Sequence, residues 1–548
     1  MKVHFSVLAL VSIAAAFARA DDISAPTSRL VRPDADGRLA YTAYDERGSR
    51  LPDFSHAGYA GGGVPLPSVA VVRTLTAEPG ENHERIQAAL DEISALPPDA
   101  AGWRGALLLR AGRYLVGDTI RLHADGVVLR GEGDQTEGGT VLVATRRAKH
   151  DLVAVGGTGQ WKGFASGTAQ ITDAYVPVGA NRVRVDHPER LKVGDRVIVR
   201  RPSSEAWISA IGMDRIPPRP DGKPVIQWRA NSQDLLFDRT VVAIEGDTIT
   251  VDVPLTDALA REFGGGRVYR YTFPERRRNI GIESMRLESE FDHAVRSTEK
   301  AGAVTLADVA VDEAHGWNAV FFDAVENAWA RDLTSVNFAN ACVSLGRSAL
   351  RVTVDDCRSL DPVSRITGGR RYAFPIAGQQ ILVKNCYASG ARHAFVLDSR
   401  VPGPNVYLDC VAENNFSTSE PHHRWASGAL WDNVTVSGPY AWLQAVNRGW
   451  LGTGHGWAGA QMVFWNCRAA LIAVQKPPFA QNFAIGARAP FENRELVETA
   501  VGEINRAAGT ALPPIAPLWG DGHIESPDRA VFPRSLYEAQ LQERLGAR

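Results

Sequence analysis

The chain has 548 residues, 60 Lys and Arg against 62 Asp and Glu, and a net charge of −2. That balance offers no basic surface for binding nucleic acid by charge alone, and the length allows one large core with attachments. Residues 1–20 read as a secretory signal peptide: Lys2 gives the basic start, Phe5 to Phe17 the apolar run, and Ala18-Arg19-Ala20 the cleavage site before Asp21-Asp22. The apolar run is too short for a membrane span, and no later segment stays apolar for the roughly 18 residues required. The expectation is a secreted or periplasmic protein after cleavage near Ala20, with no membrane span and its oligomeric state left open.

Residues 21–105 are expected to hold an irregular stretch rich in Gly and Pro, 21–75, and a capping helix. Within them Ile86, Leu90 and Ile93 recur at helical spacing after Glu81-Asn82. Such a helix would cap the open strand edges at one end of a solenoid. First coils are expected over 106–169: Leu107-Leu108-Leu109-Arg110-Ala111-Gly112-Arg113-Tyr114, then Asp118-Thr119-Ile120, then Val128-Leu129-Arg130-Gly131-Glu132-Gly133. These segments resemble the start of pectate-lyase-like proteins, right-handed parallel β-helices. The resemblance implies an all-β fold for most of the chain and a carbohydrate-active context, but it spans lyases, hydrolases, epimerases and phage tailspikes.

Residues 170–275 interrupt the pattern. Leu191 to Val199, Val241 to Ile244 and Thr248 to Val251 read as strands joined by tight Gly-Asp turns, which predicts an inserted small β domain. From 276 to 490 a marker returns, an Asp or Asn followed by Cys or an aliphatic residue: Asp308-Val309, Asp332-Leu333, Asp356-Cys357, Asn385-Cys386, Asp409-Cys410, Asp432-Asn433 and Asn466-Cys467. The steps are 24, 24, 29, 24, 23 and 34 residues, and Ser284-Met285 lies 24 upstream. A fixed period with short alternating strands marks the main β-helix, its longer steps being loops that bulge from a coil. Cys357, Cys386, Cys410 and Cys467 share one repeat position and are expected inside as reduced thiols. The tail, 491–548, begins as coil and carries two helices, Arg494 to Ala507 and Ser535 to Leu545.

The chemistry concentrates between 392 and 457. Arg392-His393, His422-His423-Arg424-Trp425 and His455-Gly456-Trp457 fall there, and six of the thirteen Trp lie between 425 and 465, where even scatter gives about one. Imidazole moves protons near neutrality, Arg grips a carboxylate, and aromatic rings offer a platform to sugar C–H faces. The candidate catalytic set is His393, His422, His423, Arg424 and Tyr372. Arg371, Arg392, Trp425, Arg448, His455, Trp457 and His315 are candidates for binding an acidic polysaccharide or oligosaccharide. Register puts His315 and His393 at one solenoid edge, about 14 Å apart at strand spacing. The series Glu313, Asn337, Asp361 and Asn414 points to that edge too, or is a ladder of turn residues.

Three functions compete. A lyase would remove the C5 proton of a uronate and expel the C4 substituent, using Arg392, Arg424 or Arg448 on the carboxylate, a His as base and Tyr372 as acid. A glycoside hydrolase would need two carboxylates, drawn from Asp312, Glu313, Asp361, Asp398 and Glu413. A non-catalytic glycan binder of the tailspike type would keep the aromatics and need no basic cluster. The lyase is the favoured reading. No metal ligands and no cofactor are predicted; the resemblance leaves Ca2+ open, but no carboxylate cluster names its ligands.

Overall fold

The computed structural model describes residues 25–301, 304–438, 440–489, 494–511 and 518–546; the expected signal peptide lies outside them. Among the described residues no helix is long and apolar enough to cross a membrane. The chain folds as a right-handed parallel β-helix with three faces. The first face stacks Val71–Leu75, Gly105–Leu109 and Val127–Gly133, then runs through Pro402–Leu408, Ala426–Asp432 and Gly459–Trp465 to His523–Glu525. The second stacks Gly112–Val116 and Thr140–Ala144, then shorter strands such as Tyr387–Ser389 and Val411–Glu413. The third runs from Ile120–Leu122 and His150–Gly156 through Gly316–Asp323, Ala341–Leu345, Tyr372–Ile376 and His393–Leu397, and continues with Thr418–Ser419, Trp442–Ala445 and Leu471–Val474. Val71–Leu75 lies in the segment expected to be irregular. As the end strand it leaves most of its residues exposed and so shows no alternating pattern.

The repeating Asp or Asn has a backbone cause. Ser284, Asp332, Asp356, Asn385, Asp409, Asn433 and Asn466 have φ between 48° and 58°, at the corner where the first face turns into the second. Left-handed backbone strains most side chains and is tolerated best by Gly, Asn and Asp. The residue after each corner points inward, which places Met285, Leu333, Cys357, Cys386, Cys410, Val434 and Cys467 in the core. All five cysteines are buried and free, and burial with two neighbouring thiols pushes the Cys386 thiol well up. Asn337, Asp361 and Asn414 mark the next corner with φ of 65°, 49° and 51°. They are turn residues, while Glu313 binds Arg370 at 3.0 Å.

Two of the expected markers move. Asp308 does not sit at a corner; it lies in an antiparallel hairpin, Arg296–Ala301 with Val304–Ala310, so Ser284 to Asp332 is one long coil. In the pair Asp432-Asn433 the corner residue is Asn433, one position later. A period seen only in the residue types could not tell a hairpin Asp with φ of 55° from a corner Asp.

The helix His83–Ala95 buries Ile86, Ala89, Leu90 and Ile93 on the first coils and caps the core. A six-stranded antiparallel sheet, from Lys162–Gln170 to Arg267–Thr272, stands beside the solenoid on its own apolar core, which includes Val197, Trp207 and Phe237. Buried Asp238 ties it down, meeting Arg196 at 2.9 Å, Arg276 at 2.8 Å and the Tyr271 hydroxyl at 2.7 Å. These cations outweigh burial and hold its carboxyl down at about 2. On the outside of the first face Val406, Leu430, Val463 and Ile485 meet Leu30 and Phe54 from the N-terminal segment and Leu536 and Tyr537 from the C-terminal helix. That face is therefore apolar on both sides, whereas the third face stays open over its middle coils.

Candidate active site

The open stretch of the third face forms a groove of about 1050 Å³. The helix Arg494–Ala508 walls it with Glu503 and Ile504, and the hairpin 296–310 contributes Lys300. Arg219 reaches in from the inserted sheet's long loop, fixed by a hydrogen bond to the carbonyl of Gly452.

At its centre is Glu420, fully buried just past the strand Thr418–Ser419. Its Oε1 lies 2.7 Å from Arg448 Nη1 and 2.8 Å from His422 Nδ1; its Oε2 accepts from Gln444. Arg448 Nη1 also donates to the His422 carbonyl at 2.7 Å, so both of its hydrogens are engaged. His422 Nδ1 therefore carries its own hydrogen and donates to Glu420, which leaves Nε2 as an acceptor. The Tyr372 hydroxyl lies 3.2 Å from that Nε2. The result is a chain from carboxylate to imidazole to phenol, in which each partner fixes the next one's proton.

His393 pairs in register with Tyr372 on the adjacent coil and donates from Nδ1 to the Thr418 carbonyl at 2.5 Å. Its Nε2 is buried without a partner. His455 and His423 complete the cluster, with ring centroids 4.9 and 5.3 Å from that of His422. Burial first, then the neighbouring Arg side chains, push His393, His422 and His455 well below the usual imidazole range and bring His423 down to about 4. All four are neutral near pH 7. Burial raises the Tyr372 phenol, while Arg392 and Arg448 pull it back.

The groove cations differ in their partners. Arg448 has Glu420, Arg347 meets Asp398 at 2.9 Å and Arg219 meets Asp221 at 2.7 Å. Arg392 hydrogen-bonds the Gly368 carbonyl and has no carboxylate in salt-bridge reach among the described residues. Burial lowers its pKa, as expected for a cation short of counter-charge.

His393, Glu420 and His422 also bring donor atoms within 4.8 Å of one another. Arg448 already supplies a cation at 2.7 Å from the carboxylate, and two imidazoles with one carboxylate do not suit calcium, which takes six to eight oxygens. The trio does not make a calcium site; two imidazoles with one carboxylate are a donor set that zinc takes.

Of the residues singled out from sequence, Tyr372, Arg392, His422, His423, Arg448 and His455 line the groove, and His393 sits directly behind. Others lie elsewhere. Arg424 sits on the rim, bonded to Thr453 at 3.0 Å. Arg371 is buried and gives its guanidinium to the Ser364 carbonyl. Trp425 and Trp457 belong to the core beneath the inserted sheet. His315 is buried with Nδ1 on Ser289 at 2.9 Å and Nε2 between the carbonyls of Asp312 and Val363; its expected edge rested on the displaced Asp308 marker. The Trp excess is largely core, Trp431 and Trp465 being fully buried. Glu420 and Gln444 were not singled out. They occupy equivalent positions on successive coils, 24 residues apart, so coil register was the signal that could have found them.

No protein-family model and no curated protein matches the sequence. Among solved structures the chain is similar to the tailspike of E. coli bacteriophage HK620, crystallised with a pentasaccharide, at 11% identity and a TM-score of 0.37, over 84% of this chain and 60% of that one. It is also similar to the Gp54 tailspike of Acinetobacter baumannii bacteriophage AP22, in complex with a capsular saccharide, at 10% identity and a TM-score of 0.36, over 74% and 54%. For the polygalacturonase of Erwinia carotovora the values are 9%, 0.31, 78% and 93%. The chain thus spans about half to three fifths of the tailspike chains. At such identities the likeness concerns fold, and it carries no argument about chemistry.

Proposed function

We propose that the protein is a secreted carbohydrate-active enzyme, a polysaccharide lyase that cleaves a uronate-containing polymer by β-elimination. One observation carries the reading: the Glu420–His422–Tyr372 chain opens into a groove beside Arg392, a cation that lacks a carboxylate. A uronate carboxylate on Arg392 would supply the missing counter-charge and lower the barrier to removing the neighbouring C5 proton.

The proton path balances. The Tyr372 proton moves to His422 Nε2, and the imidazolium is held by Glu420. The phenolate takes the C5 proton, the electron pair forms the C4–C5 double bond, and the C4–O bond breaks. The leaving oxygen takes its proton from Tyr372, which recovers one from His422. His422 is neutral near pH 7, and the negative charge of a bound uronate offsets the burial and the Arg448 charge that depress its basicity.

Of the carboxylates expected for a hydrolase, Asp398 lines the groove, while Asp312, Glu313, Asp361 and Glu413 do not; Asp323 and Glu503 are the other carboxylates there. Asp398 is engaged by Arg347 at 2.9 Å and Asp323 accepts from the Ser348 backbone at 2.8 Å, so both carboxylates already have partners of their own. The test is product analysis on a panel of uronate polysaccharides. Elimination gives an unsaturated sugar that absorbs ultraviolet light; new reducing ends without that absorbance mean hydrolysis, and no cleavage with tight binding means a glycan binder.

A further inference from the structure

A second cavity, about 240 Å³, lies where the inserted sheet, the N-terminal segment and the solenoid meet. It is smaller than the roughly 300–1,000 Å³ of drug-sized sites and has room for one ring. Its floor is Trp207 packed edge-on against Trp425, centroids 4.8 Å apart. The Arg201 guanidinium lies 4.1 Å from the Trp207 centroid and 5.7 Å from that of Trp425. Arg201 is 7% exposed, and its Nη1 has no hydrogen-bond partner.

The local carboxylate does not satisfy this cation. Asp257 approaches Arg201 Nε only to 3.5 Å, because its other oxygen accepts the Trp425 indole N–H at 2.6 Å. A buried donor left without an acceptor is costly, the more so when it is charged, so the pocket calls for an acceptor oxygen at Nη1. The rim supplies an apolar wall and further charge. Phe479 is 60% exposed, holds φ at +64° and packs on Phe263 at 4.8 Å. Such strain persists where surroundings impose it and clusters at ligand clamps. Lys476 and Arg47 stand at the mouth, with Asp45 as the opposing charge.

We infer that this pocket is a second carbohydrate subsite, holding one acidic sugar unit with its carboxylate towards Arg201 and its ring against Phe479. The inference rests on the reading of the enzyme as acting on a uronate polymer and adds where a distal unit is anchored. Position supports it: His422 lines the groove and Trp425 the pocket, and three residues of extended chain span at most about 11 Å.

The test is binding of sodium glucuronate to the full chain by calorimetry, with glucose as the neutral control. Wild type should bind glucuronate with millimolar affinity, weaken as salt is raised, and ignore glucose. Phe479→Ala, an exposed change, should weaken binding at least tenfold, and Arg201→Met should abolish it. If Arg201→Met fails to fold, Phe479→Ala and the salt dependence still decide. Arg424→Ala, which lines neither cavity, should leave glucuronate affinity unchanged. No binding by wild type, or binding that is kept in both Phe479→Ala and Arg201→Met, overturns the inference. Turnover is read separately, so an enzyme that cleaves nothing but binds glucuronate through Phe479 removes the groove's reading and not the pocket's.

Discussion

The first and third faces of the solenoid come from the same coils, yet their outer surfaces have different fates. Val406, Leu430, Val463 and Ile485 point out of the first face and are buried under the N-terminal segment and the C-terminal helix. Ser344, Pro375, Val396 and Gln444 lie on the outside of the third face and line an open groove. An outward column of aliphatic residues demands a cover, because apolar area left in water costs about 25 cal/mol per Å². A mixed outward column such as Ser344, Pro375, Val396 and Gln444 demands less cover and leaves room for chemistry. The two faces should therefore respond oppositely to change.

The largest effect should come from the groove. His422→Ala or Tyr372→Phe should lower turnover by about 10²–10⁴-fold, the usual contribution of a positioned proton donor or acceptor, and Tyr372→Phe should do so with thermal melting close to wild type. Glu420→Gln should cut turnover too and also destabilise, because Arg448 would remain buried without its counter-charge. Breaking a buried pair costs about 3–5 kcal/mol, and chemical denaturation would measure it.

The covered face should behave in reverse. Leu430→Ala should lose about 2–5 kcal/mol of stability from a fully buried site, with the turnover of the folded protein unchanged. An equal loss of activity per folded molecule would break the distinction between the faces.

The pH response should separate them as well. Burial holds His423 down to about 4, below the unfolded value of about 6.5. Its contribution is present above pH 6.5 and is lost as pH falls towards 4. Buried Asp432, which anchors the C-terminal helix by accepting from the Ser535 hydroxyl at 2.7 Å and the Tyr537 N–H at 2.9 Å, is pushed up to about 7. Its contribution is present below the unfolded value of about 3.9 and is lost as pH rises through 7. Melting curves of His423→Gln and Asp432→Asn, compared with wild type between pH 4 and 7, should show differences of opposite slope. Parallel curves would contradict both assignments.

The smallest effect is expected at the rim. Arg424 touches Thr453 and does not line the groove, so Arg424→Ala should change stability by no more than about 0.5 kcal/mol and leave turnover within a few-fold of wild type.

Much of the fold was legible because corner chemistry leaves a mark in residue type. Asp356, Asn385 and Asp409 announce left-handed corners, and the Cys after each announces an inward position. The same mark misled at Asp308, since a hairpin also uses an Asp with positive φ. The site was legible as a region and less so as an arrangement. Side chains such as His422 and Arg392 stood out by type, but Trp425 and Trp457 looked like sugar platforms while serving the inserted sheet's core. Which Trp meets solvent depends on a domain packed from 200 residues away in sequence, and that is not written locally. Glu420, the residue that organises the groove, sits between Ser419 and Pro421 without any repeat marker and gains meaning only when Gln444 and Arg448 are placed on the neighbouring coil.

The most direct measurement is the rise in ultraviolet absorbance when wild type and Tyr372→Phe are each incubated with a uronate polysaccharide that wild type degrades. The account predicts a steady rise for wild type, from the new C4–C5 double bond, and a loss of at least a hundredfold in Tyr372→Phe with the protein still folded. Wild-type cleavage without absorbance, or a Tyr372→Phe rate equal to wild type, would contradict it.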